Sequence, residues 1–142
     1  MKDRIAILLF APLIMVALAA CQTDSRQQVL ATTKSQVELR SFQTRAFDTT
    51  DREKTLRTII ATLQDLGFTI DQADAELGTI TATRYDEYIM RMTITVVQRG
   101  SERVSVRVNA RSGEDAVSDA ATYQDFFVAL DKAMFLTLQR VD

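Results

Sequence analysis

Two stretches constrain the fold more than any others: YIMRMTITVV at residues 88–97 and RVSVRVNAR at residues 103–111. In the first, Tyr88, Met90, Met92, Ile94 and Val96 share one parity, while Arg91, Thr93 and Thr95 take the other. In the second, Val104, Val106, Val108 and Ala110 alternate with Arg103, Ser105, Arg107, Asn109 and Arg111. Successive side chains of a strand point to opposite faces, so the pattern predicts two strands of a sheet with one dry face and one wet face. Gly100 marks the turn between them. For the two apolar sets to meet, paired positions must share parity, which requires a loop with an odd number of residues. Three residues around Gly100 satisfy this, whereas two would set valines opposite water.

The rest of the chain supplies partners for that sheet. Thr50-Asp51-Arg52-Glu53 fits a capping box, with the Thr50 hydroxyl expected to accept the Glu53 amide proton. Leu56, Ile59, Ile60, Leu63 and Leu66 then form one apolar helical face, and Gly67 is placed to end the helix in a left-handed turn. FTIDQADAELGTITATR, residues 68–84, reads as a hairpin with Phe68 and Ile70 on one arm and Ile80 and Ala82 on the other. Its acidic bend, Asp71, Asp74 and Glu76, lacks the spacing of an EF-hand and reads as a solvated turn. Residues 121–141 carry a broad helical stripe of Tyr123, Phe126, Phe127, Leu130, Met134, Leu138 and Val141, with Ser118 or Asp119 as its cap. VELRSFQTRAF, residues 37–47, reads as a strand, bulged because Phe42 and Phe47 fall on opposite parities.

The expected order is strand, helix, four strands, helix. Short connections make the strand meander antiparallel, and one apolar stripe per helix places both helices on the same sheet face. The expected fold is therefore a two-layer α+β domain over residues 37–142, an antiparallel sheet of four to five strands with two helices packed on one face. At 142 residues, 46% apolar, with four Gly and one Pro, the composition suits one domain of modest core.

The amino terminus carries a different signal. Lys2 and Arg4 precede sixteen uncharged residues, Ile5 to Ala20, a run short of the roughly 20 that a spanning helix needs. Basic then apolar is the order of a secretory signal peptide. Leu18-Ala19-Ala20-Cys21 then resembles the lipobox of bacterial lipoprotein signal peptides. The resemblance implies cleavage between Ala20 and Cys21, removal of residues 1–20, and lipid on the Cys21 sulfur and the new amino terminus. Each buried methylene contributes about 0.8 kcal/mol, so two or three acyl chains anchor stably where one holds marginally. Gln22, standing where an aspartate would favour the inner membrane, implies the outer membrane, with the body facing the periplasm. Residues 21–36 read as the lipidated cysteine and a polar tether, with only Val29, Leu30 and Ala31 grouped as apolar residues.

Two further likenesses concern the body. LQDLGFTIDQADAELGTITATR, residues 63–84, is similar to an uncharacterised group of small envelope lipoproteins, some encoded beside efflux pumps. Helices gripping one face of an antiparallel sheet resemble the helix-grip domains of lipoprotein C in the β-barrel assembly machinery. That second likeness is one of architecture, without a matching motif.

Chemistry is thinly represented. There is no His, and the resemblance implies that the lone Cys21 would be lipidated, so a nucleophile–base pair and a structural zinc would both lack their usual residues. No Gly-rich phosphate loop occurs, and the net charge of −2 gives no electrostatic reason to expect nucleic acid. No enzyme activity, metal or cofactor is expected. Asp86-Glu87 and Glu114-Asp115 are the remaining carboxylate pairs, both in expected loops. The wet sheet face is more informative. Arg91, Arg103, Arg107 and Arg111 make it positive on an acidic chain, and Arg pairs bidentately with carboxylate or phosphate. Val128 and Phe135 lie one heptad apart on the far side of the last helix, among polar residues. The arginine face reads either as ordinary solvated surface or as a docking face for an acidic partner, a periplasmic protein or a lipid headgroup. The far side of the last helix reads as ordinary surface, as a contact site, or as a place covered by the amino-terminal segment.

The expected function is a non-enzymatic outer-membrane lipoprotein, an accessory or adaptor subunit binding a protein partner in an envelope complex. A periplasmic binding module for a small ligand or glycan, and a carboxylate-based cell-wall hydrolase, remain open as alternatives. Intact-mass measurement of material extracted from cells should find residues 21–142 carrying acyl chains. A bare thiol at Cys21, or residues 1–20 still attached, would contradict the anchor.

Overall fold

A computed structural model of the chain describes residues 36–139, with side chains through Thr137. Cys21, the cleavage site at Ala20 and the tether as far as residue 35 lie outside the described residues, as do the side chain of Leu138 and all of Val141; Gln36, expected to end the tether, is already helical. The elements run α1 (36–43), β1 (Thr44–Phe47), α2 (Arg52–Asp65), β2 (Thr69–Asp74), β3 (Thr79–Tyr85), β4 (Ile89–Arg99), β5 (Arg103–Ser112), β6 (Asp115–Ala116) and α3 (Ala120–Gln139). All strand pairs are antiparallel, in the order β1-β5-β4-β3-β2, with β6 folding back on β5. The expected α+β architecture is present.

The β4–β5 hairpin sets the frame. Arg99 pairs with Arg103, so the loop is the three residues Gly100, Ser101 and Glu102, with Gly100 at φ +65°. Ile94 then opposes Val108 and Val96 opposes Val106, all fully buried. β3 extends the same parity, with Ile80 opposite Ile94 and Ala82 opposite Met92. Tyr88 shares that parity but lies before β4 begins, and it is exposed rather than part of the dry face.

α2 and α3 cover the dry face and pack on each other. Leu56, Ile59 and Leu63 of α2 are buried, together with Tyr123, Phe126, Phe127, Leu130 and Met134 of α3. Thr55, Thr58 and Thr62 widen the dry side of α2. Each hydroxyl donates to the carbonyl four residues back, at 2.8–2.9 Å, so burial leaves none of these three hydroxyls unpaired.

The caps are local chemistry. α2 is capped by Asp51, one residue beyond the expected Thr50, because the Asp51 carboxylate accepts the Lys54 amide at 2.8 Å. Glu53, freed from a capping role, instead accepts from Arg57 one turn on. At the other end, Phe68 N–H donates to Leu63 and Gly67 N–H to Gln64, at 2.9 and 3.0 Å, the Schellman arrangement. Gly67, at φ +82°, makes that reversal possible. α3 is capped by Asp119, whose carboxylate accepts from Ala121 and Thr122 N–H; these bonds hold its carboxyl below the usual range.

The segment 37–47 departs from expectation. Only Thr44–Phe47 is strand; residues 36–43 are helical. Leu39 and Phe42 are three apart, one helical face, and both pack against the core. Phe42 lies 5.7 Å from the Tyr123 ring, and the buried Gln43 amide donates to the Tyr123 hydroxyl at 3.2 Å. An extended chain would turn Phe42 and Gln43 to opposite sides. β6 is a further addition, a two-residue strand inside the expected polar loop.

Gly78 closes the β2–β3 turn in crowded surroundings. Its carbonyl accepts from Val96 N–H at 2.8 Å, and a Cβ there would stand 2.5 Å from the Val96 carbonyl oxygen. Arg52 reaches over the same turn, donating to the carbonyls of Glu76 and Val96 at 2.9 and 3.3 Å.

Tyr123 ties four segments together. Its hydroxyl donates to the Val117 carbonyl at 2.6 Å and accepts from Gln43 and from Ala110 N–H at 3.2 and 3.3 Å. Its ring is fully buried. Tyr123→Phe leaves these groups without their partner and should lower the unfolding free energy by about 1–3 kcal/mol. Denaturant unfolding measures this directly; wild-type stability would show that the three bonds do not act together.

Candidate functional site

The wet face of the sheet is built from cross-strand rungs. Thr79, Thr95, Arg107 and Thr44 form one, and Thr81, Thr93 and Asn109 the next. Thr83, Arg91 and Arg111 form a third, beside the exposed pair Tyr85 and Ile89. β-Branched threonines suit a pleated surface, and their hydroxyls keep it wettable.

The four arginines expected on this face are all there, in different circumstances. Arg103 Nε donates to Asp48 at 2.7 Å. Arg111 Nη2 donates to the Glu114 carbonyl at 2.5 Å, with the Glu114 carboxylate 3.7 Å away. Arg91 Nε donates to the Thr83 hydroxyl at 3.4 Å, and that hydroxyl donates to Asp71 at 2.6 Å. Arg107 has no hydrogen-bond or ion-pair partner among the described residues. The Arg103–Asp48 and Arg111–Glu114 pairs are more than half exposed, and pairs of that kind contribute about 0–1 kcal/mol. A partner can therefore compete for either guanidinium at little cost.

Arg99 belongs to the same surface and did not stand out in the sequence. The odd-length loop already implies it, because that register sets Arg99 opposite Arg103. Asp71 was also missed as a structural group. The β2–β3 register shifts between Ile70 and Gln72, and Asp71 is the extra residue of that bulge. Asp74 is used in the turn, accepting the Leu77 amide at 2.8 Å.

Val128 and Phe135 are 58% and 60% exposed, on the outer side of α3. The helix layer and the sheet lie between them and the arginines, so the two candidate patches do not form one site. Leu136, also exposed, borders a groove of about 640 Å³ between α2 and α3, floored by Ala61 and Ala133 and rimmed by Lys54 and Arg57. A smaller apolar cleft, about 150 Å³, lies between α2 and the β2–β3 turn. That volume is below the roughly 300–1,000 Å³ of small-molecule sites.

Of the carboxylate pairs, Asp86 and Glu87 sit exposed in the β3–β4 bend, and Glu114 and Asp115 at the β5–β6 turn. Among the described residues no three His, Cys, Asp or Glu side chains converge as metal ligands would, and no helix is long and apolar enough to cross a membrane. No protein-family model matches the chain, and no curated protein matches it.

Proposed function

We propose that the chain is a non-enzymatic, lipid-anchored accessory subunit of the outer membrane's periplasmic side, which binds a protein partner of an envelope complex through the wet face of its sheet. The single observation that carries the reading is the contrast between the two faces. One is buried under helices; the other presents five arginines, with Arg107 lacking any partner among the described residues. Arginine patches steer acidic partners and fix their orientation through bidentate pairing. The lipobox at residues 18–21 supports the anchor, and a tether of about fifteen residues gives the body reach from the bilayer.

Replacing Arg103, Arg107 and Arg111 together with Glu tests the reading. The lipidated, affinity-tagged chain should recover a stoichiometric partner from cells. The triple variant should cut that recovery about tenfold or more, because reversed charges repel across the contact. A melting curve shows that the variant still folds. Unchanged recovery would clear the sheet face of the role.

A further inference from the structure

Two rungs of the wet face set like charges opposite one another: Arg99 with Arg103 beside the Gly100 loop, and Arg91 with Arg111 at the other end of the hairpin. Side chains so placed have Cβ atoms about 5 Å apart, and like charges there are destabilising unless something shares them. In the Arg91–Arg111 rung both guanidiniums are nonetheless held. Thr83 is fully buried although it lies on the wet face, and it links the bulge carboxylate of Asp71 to Arg91 Nε. The Glu114 carbonyl fixes Arg111 Nη2. A guanidinium has five N–H donors, so each arginine keeps donors free after these bonds.

Between them lies a hollow of about 280 Å³, lined by Ile89, Arg91, Arg111, Gly113 and Glu114. Gly113 contributes no side chain to fill it, and nothing stands within 4 Å of where its Cβ would be. Tyr85, 69% exposed, is the cross-strand partner of Ile89, so an apolar pair adjoins the two cations.

We infer that this hollow is a carboxylate clamp for an acidic segment of a partner polypeptide. An Asp or Glu side chain enters between Arg91 and Arg111, and an adjoining apolar side chain rests on Tyr85 and Ile89. A free oxyanion would use the two arginines alone and leave the apolar pair idle. A peptide in which acids alternate with apolar residues uses both. The Glu114 carboxylate stands near Arg111 as a weak internal competitor. The inference rests on the proposed partner-binding role and names the chemistry of the contact.

The test uses the full lipidated chain in nanodiscs and a fluorescein-labelled peptide, Leu-Glu-Phe-Asp-Leu with a blocked carboxy terminus, followed by fluorescence anisotropy. The peptide should bind saturably, and empty nanodiscs should not bind it. Arg91→Lys and Arg111→Lys keep the charge but lose the planar fork, and each should weaken binding about tenfold. Glu114→Gln should tighten it. Arg57→Ala, on the helix layer, should leave it unchanged.

No saturable binding, or full affinity in both Lys variants, would overturn the clamp. Displacement of the peptide by inorganic phosphate at lower concentrations than by the unlabelled peptide would overturn it in favour of a free-anion site. If the peptide arm fails while capture from cells still needs Arg103, Arg107 and Arg111, the clamp falls and the proposed function stands.

Discussion

Ile94 against Val108 and Val96 against Val106 decide which half of this protein is dry. The three-residue loop at Gly100 enforces that register, and β3 inherits it through Ile80 and Ala82. A slip of one residue would turn every valine of β5 to water and every arginine into the core. Such a slip would bury several unpaired cations, each costing several kcal/mol. The helices have no other apolar surface to cover, so their position follows from the sheet. The same alternation that buries the core therefore also gathers the arginines on one plane.

How much of this was legible depends on the range of the interaction concerned. β4, β5 and α2 were legible because their signals are periodic and local, and Gly67 because a Schellman reversal needs positive φ beside a helix end. Residues 36–43 were not. Leu39 and Phe42 fit a bulged strand or a short helix about equally, and the decision comes from Gln43 bonding Tyr123, eighty residues away. The α2 cap moved by one residue because Thr50 and Asp51 are adjacent, both suited to the position. At the candidate site, the sign of the charge could be read from strand parity. The ion pair of Arg103 with Asp48 could not, nor could the burial of Thr83, because each depends on segments brought together by pairing.

The proposed docking role of the wet face would combine low cost with specificity. Its exposed ion pairs contribute little to folding, so they can be exchanged for intermolecular ones. Thr83 and the bulged Asp71 hold Arg91 in place, which under the proposed role would lower the ordering cost of binding. A lipid anchor would add to this by confining the body near the bilayer, raising the effective concentration of any membrane-held partner. The far side of α3, with Val128 and Phe135, offers isolated apolar groups on a polar surface, which alone are ordinary for a folded protein.

The most direct measurement is photocrosslinking in living cells from a photoreactive side chain placed at Val97, on the wet face opposite Ser105 and near the Gly100 loop, compared with one at Val128 on the helix layer. The account predicts a discrete protein adduct from position 97 that is absent from position 128. An adduct from 128 alone, or none from 97 in cells where the chain is folded, would contradict it.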